Sequence, residues 1–212
     1  MFGKRYFEKV FSKEDPWRYF ICEYERRKYI RQIEAIKRHV PHPERILEIG
    51  CAEGAHTLML AKAFPEASIV GVEISETAAR RAIQNCSGYP NVNILEADII
   101  GLFKQAYFPE NSFDVVIQSE TLYYLFPTLV MQLKVVPYLR GVTKIMKKNG
   151  IFVTSNQYSI RTWLAMATYY WLLKRLCRLA HDSEYREWND TGRKYVVYDL
   201  KVFMKGIEKG SS

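Results

Sequence analysis

Between residues 19 and 40 the apolar side chains Tyr19, Phe20, Tyr24, Tyr29, Ile30, Ile33, Ile36 and Val40 recur mostly at helical spacings, which predicts an amphipathic helix. Asp15-Pro16 supplies the turn before it, and Pro41 and Pro43 end it. The period then switches repeatedly. Residues 45–49 form a short apolar strand ending at a glycine turn, and residues 53–64 return to helical spacing before Pro65. A second strand is expected over residues 67–74, with Ser75 as N-cap of a helix over residues 76–85. A third strand falls at 92–95, and a fourth at 113–118 follows the polar turn Pro109-Glu110-Asn111-Ser112. A helix over 129–146, a turn at Lys147-Lys148-Asn149-Gly150 and a fifth strand at 151–154 continue the alternation. A strongly apolar helix over 159–179, a polar loop around 181–192 and a strand-like run at 194–204 close the chain. Asp199 marks either a break or a bulge in that run.

Strands alternating with helices predict an α/β fold: a Rossmann-like, doubly wound, mostly parallel sheet covered on both faces, with an N-terminal helical extension. Residues 1–42 read as a helical cap and residues 43–212 as the body of one structural domain. Composition supports a folded chain, since 48% of the 212 residues are hydrophobic and 25% charged. No apolar run reaches the roughly 18 residues of a membrane span, and the start lacks the apolar core of a secretory leader. Cys22, Cys51, Cys86 and Cys177 are scattered without CxxC spacing, so neither a zinc site nor a disulfide framework is expected, and a cytoplasmic location fits. The net charge of +8 gathers near residues 26–38 and 161–193, where solvated helix faces account for it; no nucleic-acid motif accompanies it.

The chemistry centres on Leu47-Glu48-Ile49-Gly50-Cys51-Ala52-Glu53-Gly54. In a doubly wound sheet, ligands bind outside the carboxyl ends of the strands, and the first strand ends here. Glycines let the backbone take unusual angles and approach a ligand closely. A dinucleotide turn needs GxGxxG, whereas this turn is G-x-x-x-G with an acidic Glu53 that would repel a pyrophosphate. A cationic, phosphate-free ligand fits better, and S-adenosylmethionine (SAM) is one. Glu48 before the turn accepts hydrogen bonds from its ammonium group. Glu73, about 20 residues on, ends the second strand and is placed to grip both ribose hydroxyls. Asp98 follows the third strand and suits the adenine amino group, with Ile74 and Ile99 as apolar walls. Three acidic residues at one rim of the sheet make the constellation specific.

Residues 47–57, 70–75, 97–98, 113–125 and 149–153 resemble the successive motifs of class I SAM-dependent methyltransferases. Asp15-Pro16-Trp17, Tyr24-Glu25, Lys28-Tyr29 and Ser119-Glu120-Thr121-Leu122-Tyr123-Tyr124-Leu125 are similar to the NodS-like branch, which includes enzymes that methylate an amino group on a chitooligosaccharide. The resemblance implies that Glu48, Gly50, Cys51, Ala52 and Gly54 line the methionine end of SAM, and that Ser119 and Glu120 lie near the transferring methyl group. It also implies that the first helix folds over the cofactor as a lid, with Trp17 and Tyr24 closing over it and Arg27 pairing with its carboxylate. Where many relatives carry Glu-His after the fourth strand, this chain has Tyr123-Tyr124, which removes a candidate histidine base.

Methyl transfer from SAM is an in-line displacement in which positioning supplies most of the acceleration. A nitrogen acceptor needs a free lone pair, whereas an oxygen acceptor usually needs a base. His56 and His181 read as structural or solvated, which leaves Glu120 and Tyr124 as the candidate catalytic residues. The leading expectation is therefore a SAM-dependent N-methyltransferase of a small-molecule amine, releasing S-adenosylhomocysteine (SAH) and using no metal. The alternatives are O-methylation of a hydrophobic or lipid-like acceptor, an NAD-dependent oxidoreductase, and a non-catalytic RNA- or membrane-binding protein. A nucleic-acid partner is not expected. The helix over 159–179 either packs on the sheet or meets a membrane surface, and the oligomeric state is left open.

Overall fold

The computed structural model describes residues 3–125, 135–157, 160–189 and 194–206, with backbone alone at 160–165, 189 and 194. Two helices, α1 (Lys4–Val10) and α2 (Glu23–His39), precede β1 (Arg45–Ile49), α3 (Ala55–Ala63), β2 (Ser68–Glu73), α4 (Glu76–Asn85) and β3 (Val92–Glu96). There follow α5 (Ile99–Lys104), β4 (Phe113–Ser119), α6 (Leu122–Leu125), α7 (Val135–Ile145), β5 (Met146–Ser155), α8 (Ile160–Leu176), β6 (Arg178–Asn189) and β7 (Lys194–Met204).

The seven strands lie in the order β3-β2-β1-β4-β5-β7-β6. The first five are parallel; β7 runs antiparallel between β5 and β6. Period-two alternation explains how a nearly continuous apolar strand serves both faces. Leu47, Val70 and Val116 face the core built with Leu139 and Val142 of α7 and Tyr169 and Leu173 of α8. Ile46, Ile69 and Val115 face the opposite core, with Ile33 and Ile36 of α2 and Leu60 of α3. The winding reverses between β1 and β4, which opens a crevice at their carboxyl ends. Local signals agree with the fold where they are strongest: Ser75 Oγ accepts from Ala78 N at 3.2 Å and starts α4.

Several boundaries differ from the sequence reading. The first long helix begins at Glu23, because the Asp15 carboxylate instead folds residues 15–20 into a turn, accepting from Tyr19 N at 2.6 Å and Phe20 N at 3.2 Å. α1 and α5 lacked a long enough apolar period to be read as helices. The expected turn at 147–150 lies inside β5, next to a register shift against β4, with Asn149 at φ 63°. Of the polar loop expected around 181–192, residues 181–189 belong to β6, an edge strand whose alternation of exposed and half-buried residues reads as polar, and residues 190–192 lie outside the described residues. β7 runs unbroken through Asp199, so neither a break nor a bulge sits there. α8 buries Met166, Tyr169 and Leu173, while Trp171 stays exposed beneath the stacked guanidinium of Arg175. Part of the helix expected over 129–146 lies outside the described residues. Among the described residues, no helix is long and apolar enough to cross a membrane.

Candidate active site

An open cavity lies at the carboxyl ends of β1, β2, β3 and β4. After β1 the backbone turns through positive φ at Gly50 (77°), Ala52 (49°) and Gly54 (86°). The two glycines answer different needs. A Cβ on Gly50 would stand 2.6 Å from Thr121 Oγ1, so this glycine admits the loop after β4. A Cβ on Gly54 would stand 3.3 Å from the Ala82 backbone, so that one admits α4; it packs helices and does not line the cavity.

Glu48, Cys51, Ala52, Glu73, Ile74, Asp98 and Ile99 all reach the cavity wall from the ends of three strands. Glu48 is buried; Thr57 Oγ1 donates to one of its oxygens at 2.5 Å, and His56 Nδ1 lies 2.9 Å from the other. Glu73 is 5% exposed and accepts from Ala52 N at 3.0 Å and Ser75 N at 2.9 Å. Burial pushes its carboxyl up to about 7 in spite of those hydrogen bonds. The backbone N–H of Ile74 also favours its charged form, and acceptor capacity remains for a further donor. Asp98 caps α5 by accepting from Ile100 N at 3.0 Å. Burial, then Glu48 and Glu73, hold the Cys51 thiol well above its ordinary pKa, so it is a packing group.

The far end of the cavity is built by α2, the segment before it and the loop after β4. Trp17 lines the wall, packed edge-on against Phe11 at 5.2 Å, and Phe7 and Tyr19 join it. This aromatic roof is tied down: Glu8 accepts from Thr77 Oγ1 at 2.7 Å, and Glu53 accepts from Asp15 N at 2.8 Å. Ser119 lies in the wall, its hydroxyl donating to Gln32 Oε1 at 2.5 Å. Glu120 sits at φ 52°, and its carboxylate is heavily engaged. Tyr123 Oη donates at 2.8 Å and Gln157 N at 3.0 Å to one oxygen, and Lys28 Nζ at 3.0 Å to the other. Lys28 also pairs with Glu25 at 2.8 Å, and its side chain is 1% exposed. Burial pulls that ammonium's pKa down, but Glu120 and Glu25 outweigh it and leave it well above its ordinary value. Tyr124 lines the wall against Phe7 at 5.4 Å, its phenol pushed up by burial and by Tyr6 and Glu120.

Besides Gly54, two expectations change here. Arg27 turns away from the cavity and pairs with Glu187 of β6 at 2.9 Å, since its position on α2 faces the outer strands. Tyr24, also expected in the lid, is buried against Tyr198 with ring centroids 5.5 Å apart and does not line the cavity. Lys28 and His56 are among the wall residues that the sequence did not mark as part of the site. His56 lies stacked on Tyr29 at 4.5 Å and 9°, within the cavity wall. Lys28 sits inside the basic run Arg26-Arg27-Lys28, which reads as a solvated face; the signal was its four-residue spacing from Tyr24 and Gln32, both buried.

Residues 42–196 match the family described as methyltransferase domain. Nodulation protein S of Bradyrhizobium diazoefficiens is 27% identical over 118 residues, covering 56% of this chain and 53% of that protein. A malonyl-[acyl-carrier protein] O-methyltransferase of Halalkalibacterium halodurans is 31% identical over 83 residues, 39% of this chain and 30% of that protein. The chain thus spans about half or less of the length of these curated relatives. Among solved structures, the N-methyltransferase NodS from Bradyrhizobium japonicum WM9 in complex with SAH superposes with a TM-score of 0.72 at 19% identity, covering 95% of this chain and 97% of that one. The family match covers more than half of the chain, and the chain belongs to the methyltransferase-domain family, class I, whose cofactor is SAM.

Proposed function

We propose that this protein transfers the methyl group of SAM to the nitrogen of a small-molecule amine, of the amino-sugar or natural-product type. The observation that carries the reading is the cavity in which Glu48, Glu73 and Asp98 converge from three strand ends beneath an aromatic roof. These groups suit the fixed features of SAM. Glu73 keeps acceptor capacity for a vicinal diol, Ile74 and Ile99 offer apolar faces to a purine, and Glu48 offers anionic charge to an ammonium group. When bound, SAM supplies an electrophilic methyl on a cationic sulfur. The chain's own residues then position the acceptor, shield it from water and stabilise positive charge.

The nitrogen preference rests on Glu120. Three donors occupy its carboxylate, so it is poorly free to take a proton from a hydroxyl. Burial, followed by Glu120 itself, pushes the Tyr123 phenol far above its ordinary range, so it does not replace the missing base. Glu120 is better read as an anchor for the acceptor end than as the base expected from its position. The four buried free cysteines support a reducing, cytoplasmic setting. A labelled-methyl screen across amino sugars, aromatic amines, phenols and carboxylic acids tests the reading. Label in amines supports it; label confined to phenols or acids overturns the nitrogen preference.

A further inference from the structure

The triplet Glu25, Lys28 and Glu120 is an unusual thing to bury. Lys28 Nζ lies 2.8 Å from Glu25 and 3.0 Å from Glu120, with side chains 1%, 9% and 12% exposed. Its ammonium also approaches the Tyr24 and Tyr29 rings at 5.3 and 5.9 Å. Two carboxylates against one ammonium leave an excess of one negative charge. Removing such a charge from water costs several kcal/mol unless something repays it. Lys28 and Glu120 both stand in the cavity wall, so the excess faces the ligand space. Glu120 holds its left-handed backbone there, with its N–H donated to Ser155 O at 2.9 Å.

We propose that this triplet reads the charge of the methyl donor, holding the cationic sulfonium form more tightly than the neutral thioether that transfer leaves behind. The inference rests on the methyl-transfer reading given above. In the reaction the C–S bond breaks with its electron pair retained by sulfur, and the amine lone pair forms the new C–N bond. Positive charge therefore moves from sulfur to nitrogen. While the methylated ammonium stays, the triplet still faces a cation. Once that product leaves, the thioether no longer offers one, and the attraction that held the donor is lost. The same charge that favours loading thus favours release of SAH after turnover. A unit charge felt across several ångströms of partly screened interior changes affinity by roughly ten-fold.

The plainer role is a pin that fastens α2 to the end of β4. The two roles separate in a binding experiment that needs no acceptor. Isothermal titration of the full chain with SAM, SAH and 5′-methylthioadenosine, near pH 8, gives the SAM-to-SAH affinity ratio and a control for the nucleoside end. Glu25 lies outside the cavity wall, so Glu25→Gln removes a charge from the triplet without removing a side chain that lines the ligand space. The expected result is a ratio lowered about ten-fold in Glu25→Gln, with 5′-methylthioadenosine affinity unchanged. Lys28→Gln, which deepens the negative excess, raises the ratio. An unchanged ratio in Glu25→Gln overturns the proposal, and so does equal weakening of all three ligands, the signature of a pin. Failure of the wild-type protein to bind any of the three overturns the methyl-transfer reading itself, and the proposal with it.

Discussion

The two ends of the cavity are made in opposite ways. At the β1–β3 end, the groups that face the ligand sit at strand termini and are fixed by backbone close by in the chain or at the next strand end: Glu73 by Ser75 N two residues on and by Ala52 N 21 residues back, Asp98 by Ile100 N two residues on. At the β4 end, the groups meet across long stretches of chain: Lys28 reaches Glu120 92 residues on, and Gln32 reaches Ser119 across 87. The first end needs only the parallel sheet to exist. The second needs α2 and the segment before it docked in one place. Stability and ligand affinity should therefore respond differently to changes at the two ends.

The largest expected effect is at the β4 end and is structural. Lys28→Met leaves two buried carboxylates without their cation and should destabilise the fold by about 3–5 kcal/mol, read from urea unfolding followed by tryptophan fluorescence. A loss under about 1 kcal/mol would mean that the pair behaves as an exposed one. The next effect is a pH dependence at the opposite end. The Glu73 carboxyl is raised to about 7 in the fold, above its ordinary 4.5. Between those values the folded chain holds a proton that the unfolded chain has released, so stability falls as pH rises through that window. Relative to Glu73→Gln at each pH, the wild type should lose up to about 3 kcal/mol between roughly pH 5 and 8; parallel unfolding curves would contradict the burial argument.

Glu73→Ala should weaken SAH binding about 100-fold while leaving the far end intact, because it removes a charged acceptor for two hydroxyls; calorimetry measures it. Trp17→Ala and Arg27→Ala sharpen the contrast at the smallest scale. Trp17 is part of the roof, so its loss should weaken SAH binding by about 1–2 kcal/mol. Arg27 faces Glu187 instead, so its loss should leave SAH affinity unchanged and cost less than about 1 kcal/mol of stability. Equal effects of the two on SAH affinity would return Arg27 to the site.

The contrast also explains what the sequence made legible. Arg45–Ile49, Glu76–Asn85 and Lys194–Met204 match their expected bounds because a strong apolar period or a capping serine defines them locally. Glu73 and Asp98 were legible for the same reason, since a carboxylate at a strand end is visible in a short window. Lys28 and His56 were not, because their burial is created by partners far away in sequence: Glu120 for the first, Tyr29 for the second. Arg27 illustrates the converse. It neighbours Lys28 in sequence, but one step around α2 turns it from the cavity to β6. β6 was hidden because an edge strand with one solvated face carries the composition of a loop.

The central claim is that the cavity at the ends of β1–β4 is a SAM site organised by the acidic rim. A crystal structure of the chain grown with SAH tests it most directly. The account predicts the ribose hydroxyls on the Glu73 carboxylate, the adenine between Ile74 and Ile99 with its amino group toward Asp98, and the amino-acid end beside Glu48 and Gly50. Density for SAH elsewhere on the chain, or in this cavity with its ribose away from Glu73, would contradict it.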